Sequence, residues 1–118
     1  MKPERRGRID HEIQRALATI VAEEIKDPRL GFVTITRAEI TNDMQHCKVF
    51  ASVIGDRHVA RQSMEVLNSA RRFIRGRLGE QVELRYTPDL TFVEDRTTER
   101  AIALSRKVDE AVALEHKV

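Results

Sequence analysis

The chain has 118 residues, 41% of them hydrophobic and 34% charged, with a net charge of +2 at pH 7; that length supports one core, so a single domain over residues 1–118 is expected. No apolar run approaches the roughly 20 residues of a membrane span, and the charged start MKPERRGR leads into no signal-type apolar segment, so a soluble, unexported, cytoplasmic protein without membrane contact is expected. Cys47 is the single cysteine, which excludes a disulfide framework and reads as a buried structural thiol.

Ile9, Ile13, Ala16, Leu17, Ile20, Val21 and Ile25 recur at spacings of three and four, which predicts an amphipathic helix from about Ile9 to Lys26. Residues 1–8 before it are expected to be a flexible basic arm. Asp27-Pro28 ends the helix, and Pro28-Arg29-Leu30-Gly31 has turn chemistry. FVTITRAEI and CKVFASVI then read as an antiparallel hairpin about the polar Thr41-Asn42-Asp43-Met44. The apolar phase shifts from Val33 and Ile35 to Ala38 and Ile40, which predicts a bulge near Thr36 or Arg37. The second strand has apolar residues on both faces and is expected to be central.

Helical spacing resumes with Ala60, Met64 and Leu67, and continues past Asn68-Ser69 with Ala70, Phe73, Ile74 and Leu78. Asn and Ser compete with the helix for backbone hydrogen bonds, so two helices with a kink at Asn68, Ser69 and Ala70 are expected, the side chains of Asn68 and Ser69 serving as caps. A third strand centres on Leu90 and Phe92, with Pro88 confined to its start or an edge. Asp95 can cap a final helix running to about Leu114, followed by a flexible tail at 115–118. The order α-β-β-α-kink-α-β plus a C-terminal helix gives an α+β fold: a mixed three-stranded sheet with helices packed on one face.

Charge is segregated along this order. Lys2, Arg5, Arg6 and Arg8 against Glu4 give residues 1–8 a net +3, and six arginines against Glu65 give residues 57–77 a net +5, which leaves −6 for the rest. Such separation points to a basic face for a polyanion. On a helical wheel from Ala70, Phe73, Ile74 and Leu78 form a core stripe, whereas Arg71, Arg72 and Arg75 fall together beside it. Arg77 falls inside the apolar arc and must either snorkel from the helix end or distort this simple picture. Phe32, Phe73 and Phe92 are assigned to the core, so recognition is expected to rest on phosphates rather than base stacking.

Nothing in the sequence forms a catalytic or cofactor set. GDRHVARQS lacks the spacing of a phosphate-binding loop. His11, His46, His58 and His116 are too scattered for a zinc site, and Ser63 and Ser69 lack a nucleophile setting. No cofactor, metal or small-molecule substrate is expected.

IKDPRLGFVTIT, CKVFASV, LNSARRFIRGRLG and LRYTPDLTF, in this order and spacing, resemble the ribosome-binding factor A family over nearly the whole chain. The resemblance implies a type II KH-like fold without catalysis. It further implies binding to immature small ribosomal subunits and their rRNA, in late maturation and rRNA processing, with a role in cold adaptation. Ordinary KH domains clamp nucleic acid with a GXXG loop; this family replaces it with a kink at Ala-x-Gly, here Ala70-Arg71-Arg72. The alanine matches and the glycine does not.

The candidate RNA-binding residues are Arg71, Arg72, Arg75, Arg77 and Arg61 about the kink, with Lys2, Arg5, Arg6 and Arg8 in support. A monomer is expected. The competing readings are a protein–protein adaptor whose basic face meets an acidic partner without RNA, and a minimal enzyme with an unrecognised site.

Overall fold

The computed structural model describes residues 1–97; the expected final helix and the 115–118 tail fall on residues beyond these. The elements are α1 (Pro3–Glu24), β1 (Phe32–Ile40), β2 (His46–Ile54), α2 (Arg57–Ser69), α3 (Arg71–Gln81) and β3 (Asp89–Glu94).

Helix α1 begins six residues before the expected Ile9. Proline suits its first position, because the missing N–H would be unpaired there in any case and φ is already helical. The apolar stripe marks only the part that touches the sheet, where Ile13, Leu17, Ile20 and Val21 are buried, so the solvated first turns carry no periodic signal. Arg5, Arg6 and Arg8 are thus continuous with α1, and Lys2 is its N-cap residue. After the helix, the Asp27 carboxylate accepts from the Arg29 backbone N–H (2.9 Å) and guanidinium (2.7 Å), and the Asp27 carbonyl accepts from Leu30 N (3.0 Å).

The sheet order is β1-β2-β3, with β1 antiparallel and β3 parallel to the central β2. Register shifts between Ile35 and Arg37, the expected bulge, which leaves Thr36 outside the pairing. The extra residue carries the core phase from Val33 and Ile35 to Ala38 and Ile40. Cys47, Val49 and Ala51 continue that face on β2, Leu90 and Phe92 on β3, and all pack with Leu67, Ile74, Leu78 and the α1 stripe into one core. Full burial of each larger aliphatic contributes about 1.5–3 kcal/mol.

Helix side chains hydrogen-bond to the backbone of both edge strands of this narrow sheet. Beside β1, Gln14 Nε2 donates to Ile35 O (2.8 Å) and Asp10 Oδ1 accepts from Ile40 N (2.8 Å). Beside β3, Asn68 accepts from Phe92 N at Oδ1 (3.0 Å) and donates to Phe92 O from Nδ2 (3.2 Å). Asn68 therefore pairs with the strand as a neighbouring strand would, and blunts an edge open to another chain.

Two assignments to the core are corrected. Phe32 is 81% exposed, opposite the 74% exposed Ile54 at the strand ends, and Phe73 is 51% exposed on α3. Phe32 alternates out of phase with Val33 and so points away from the helices. Ile74 and Leu78 already bind α3 to the core, which leaves Phe73 on its flank.

Candidate nucleic-acid interface

Ala70 is at once the last cap of α2 and the first cap of α3, with φ −90° and ψ 3°. Its N–H bonds Val66 O (3.0 Å), and its carbonyl accepts the first bond of α3, from Ile74 N (2.9 Å). The N–H groups of Arg71, Arg72 and Phe73 precede that bond and lie at the positive end of the helix. Among the described residues no side chain caps α3. That corrects the expectation for Asn68 and Ser69: the Asn68 amide bonds Met64 O and Phe92 instead. Positive φ occurs in the chain at Met44 and Gly55 among the described residues, so Arg72, inside α3, occupies the family's glycine position in ordinary helical geometry.

The arginines fall into two groups. Arg61, Arg71 and Arg72 are exposed and make no ion pair among the described residues. Arg61 and Arg71 line one side of a shallow concavity at the kink with Ser69 and Glu65, while the neighbouring Arg57 is held bidentately by Glu94 (2.6 and 2.9 Å). Glu94 sits below the ordinary carboxylate range because that guanidinium hydrogen-bonds it.

The second group is engaged within the fold. Arg75 Nη2 donates to Thr87 O (2.8 Å), its Nε reaches Thr87 O and Pro88 O (3.2 Å each), and Asp89 is 3.4 Å away. The wheel had placed it with the free cations; instead it fixes the loop before β3. Arg77 reaches Glu24 at the end of α1 (2.6 Å) and also pairs with Glu80. Its place inside the apolar arc thus reflects a tie between helices.

At the start of α1, Arg6 Nη1 donates to Asn42 Oδ1 (3.3 Å), and Arg5 borders a cleft with Met44 and Arg85. Lys2, Arg5 and Arg8 are exposed. Cys47 is buried, and desolvation pushes its thiol up to about 12, which removes nucleophilic character at neutral pH. Among the described residues no cluster of metal-binding side chains occurs, and no helix is long and apolar enough to cross a membrane.

Helices on one face of a β1-β2-β3 sheet, with a tight kink between α2 and α3 in place of a GXXG loop, define an α+β domain of KH-like fold. The ribosome-binding factor A family model matches residues 5–108, and the chain belongs to that family. It is 40% identical over 110 residues to a ribosome-binding factor A of Heliobacterium modesticaldum, covering 93% of this chain and 91% of the relative. The crystal structure of ribosome-binding factor A from Thermus thermophilus superposes with a TM-score of 0.70 at 23% identity, over 78% of this chain and 98% of that one. A homology model of the Thermus thermophilus factor, fitted into a cryo-electron-microscopy map of its 30S complex, gives 0.61 at 26% identity, over 73% and 90% of the two chains.

Proposed function

We propose that the protein binds free or immature small ribosomal subunits through rRNA phosphates and assists their late maturation and rRNA processing. It acts as a non-catalytic cytoplasmic monomer that needs no small-molecule substrate and matters most at low temperature. The observation that carries the reading is the set of exposed arginines, Arg61, Arg71 and Arg72, that make no ion pair among the described residues and lie beside the N-terminus of α3. Guanidiniums and unpaired backbone amides both suit a phosphate backbone. Lys2, Arg5, Arg6 and Arg8 add a second basic contact, and the Thermus relative fitted into a 30S map makes the small subunit the natural partner.

The test is cosedimentation with separated ribosomal subunits over a salt series. Neutralising roughly four to six phosphates gives a slope of log K against log salt of about −3 to −5. The double variant Arg61→Glu with Arg71→Glu should fold normally and lose binding to small subunits. A slope near zero, or full binding by that variant, refutes the electrostatic mechanism.

A further inference from the structure

We infer that the outer side of α3 carries a groove for an unstacked nucleotide of single-stranded RNA, a proposal that rests on the RNA-binding reading above and names the form of RNA it takes. Gly76 is the starting point. Glycine inside a helix is less stable than alanine, and a Cβ at position 76 would meet nothing within 4 Å. No packing within the described residues requires glycine there. At Gly79, by contrast, a Cβ would come 2.9 Å from Thr87 Oγ1, so close packing of the loop explains that glycine. Gly76 instead leaves the helix backbone open to approach from outside.

What lies beside that opening is suited to a nucleotide. Gly76 floors a groove of about 400 Å³ lined also by Gln45, Arg75, Gly79, Arg85, Tyr86 and Thr87, with no carboxylate among the described residues that line it. The volume lies in the range of about 300–1,000 Å³ common for small-ligand sites. Tyr86 is 46% exposed, and the Arg85 guanidinium lies over its ring at 5.4 Å. A tyrosine ring and a guanidinium offer flat faces to a base, and the guanidinium also offers donors to its phosphate. Arg75 holds the Thr87 and Pro88 carbonyls, so the wall carrying Tyr86 is set before a ligand arrives. One turn back along the helix, the exposed Phe73 gives a second ring, next to Arg72. A strand crossing α3 at Gly76 would pass from the kink arginines, over Phe73, to Tyr86. Paired bases in an A-form duplex keep their faces stacked and could use neither ring.

The test compares the full chain with Gly76→Gln and Tyr86→Ala in binding a single-stranded RNA of about ten nucleotides and a duplex of similar length, each over a salt series. Gly76→Gln fills the groove with a better helix former, so its thermal stability should hold or rise. Both variants should bind the single strand about tenfold more weakly or worse, with duplex affinity within about twofold and an unchanged salt slope. A folded Gly76→Gln that binds the single strand as well as the unmodified chain overturns the groove, whatever Tyr86→Ala does. If the unmodified chain keeps steep salt-dependent binding to small subunits in that case, the groove alone falls; if it binds neither subunits nor RNA, the RNA reading falls with it.

Discussion

Asn68→Ala should destabilise the fold more than any arginine substitution on the kink. The side chain makes three hydrogen bonds, to Met64 O, Phe92 O and Phe92 N, at 3.2, 3.2 and 3.0 Å. Alanine leaves the backbone N–H and carbonyl of the 4% exposed Phe92 without those partners. Each unsatisfied group costs about 1–3 kcal/mol when water is excluded, and at a sheet edge the lower half of that range applies to each of the two, so the loss should be about 2–4 kcal/mol. For a domain of this size that lowers Tm by about 10–20 °C. Urea and thermal unfolding followed by circular dichroism measure it, and the salt slope of RNA binding should stay as it was, since Asn68 faces β3. A loss below about 0.5 kcal/mol, the scale of ordinary surface changes, would refute the role of Asn68 as the edge partner of β3.

Arg72→Gly should destabilise by up to about 1 kcal/mol, because Arg72 is an ordinary helical residue, and should reduce the salt slope by about 0.7–0.9 through one lost phosphate contact; a gain in stability would place strain where the backbone shows none. Arg77→Ala should cost about 1 kcal/mol by untying α3 from Glu24, and a changed salt slope would contradict its place inside the fold. The Asp95 carboxyl is pulled down to about 2, first by hydrogen bonds from Thr97 and then by Thr36. Its folded pKa lies below the unfolded value near about 3.9, so its contribution is complete above that pH and is lost as pH falls toward about 2. An NMR titration should show that low midpoint moving upward in Thr36→Val; a midpoint near about 3.9 in the unmodified protein would remove the interaction.

Local sequence was sufficient wherever one periodic face met one core. The α1 stripe, the phase shift at Thr36, the central β2 and the short β3 all follow from which side chains must leave water, and each was legible in the spacing of Ile, Val and Leu. Helix ends were less so: α1 runs back to Pro3 through residues that touch no core and therefore carry no apolar period. The kink was legible as an interruption at Asn68-Ser69-Ala70, but not its construction, because the partner of Asn68 is Phe92, 24 residues away.

The division of labour among the arginines was decided only by tertiary structure. A helical wheel ranks Arg71, Arg72, Arg75 and Arg77 by direction from one axis. It does not contain the Thr87–Asp89 loop that Arg75 holds or the end of α1 that Arg77 meets. The same limit explains Phe32 and Phe73, which composition assigns to a core that the neighbouring residues had already filled. Sequence by itself determined the elements, their order and the concentration of positive charge, since these depend on residues close along the chain. Which cations stay free for a polyanion, and which rings stay open to it, depended on contacts between elements that only the folded chain brings together.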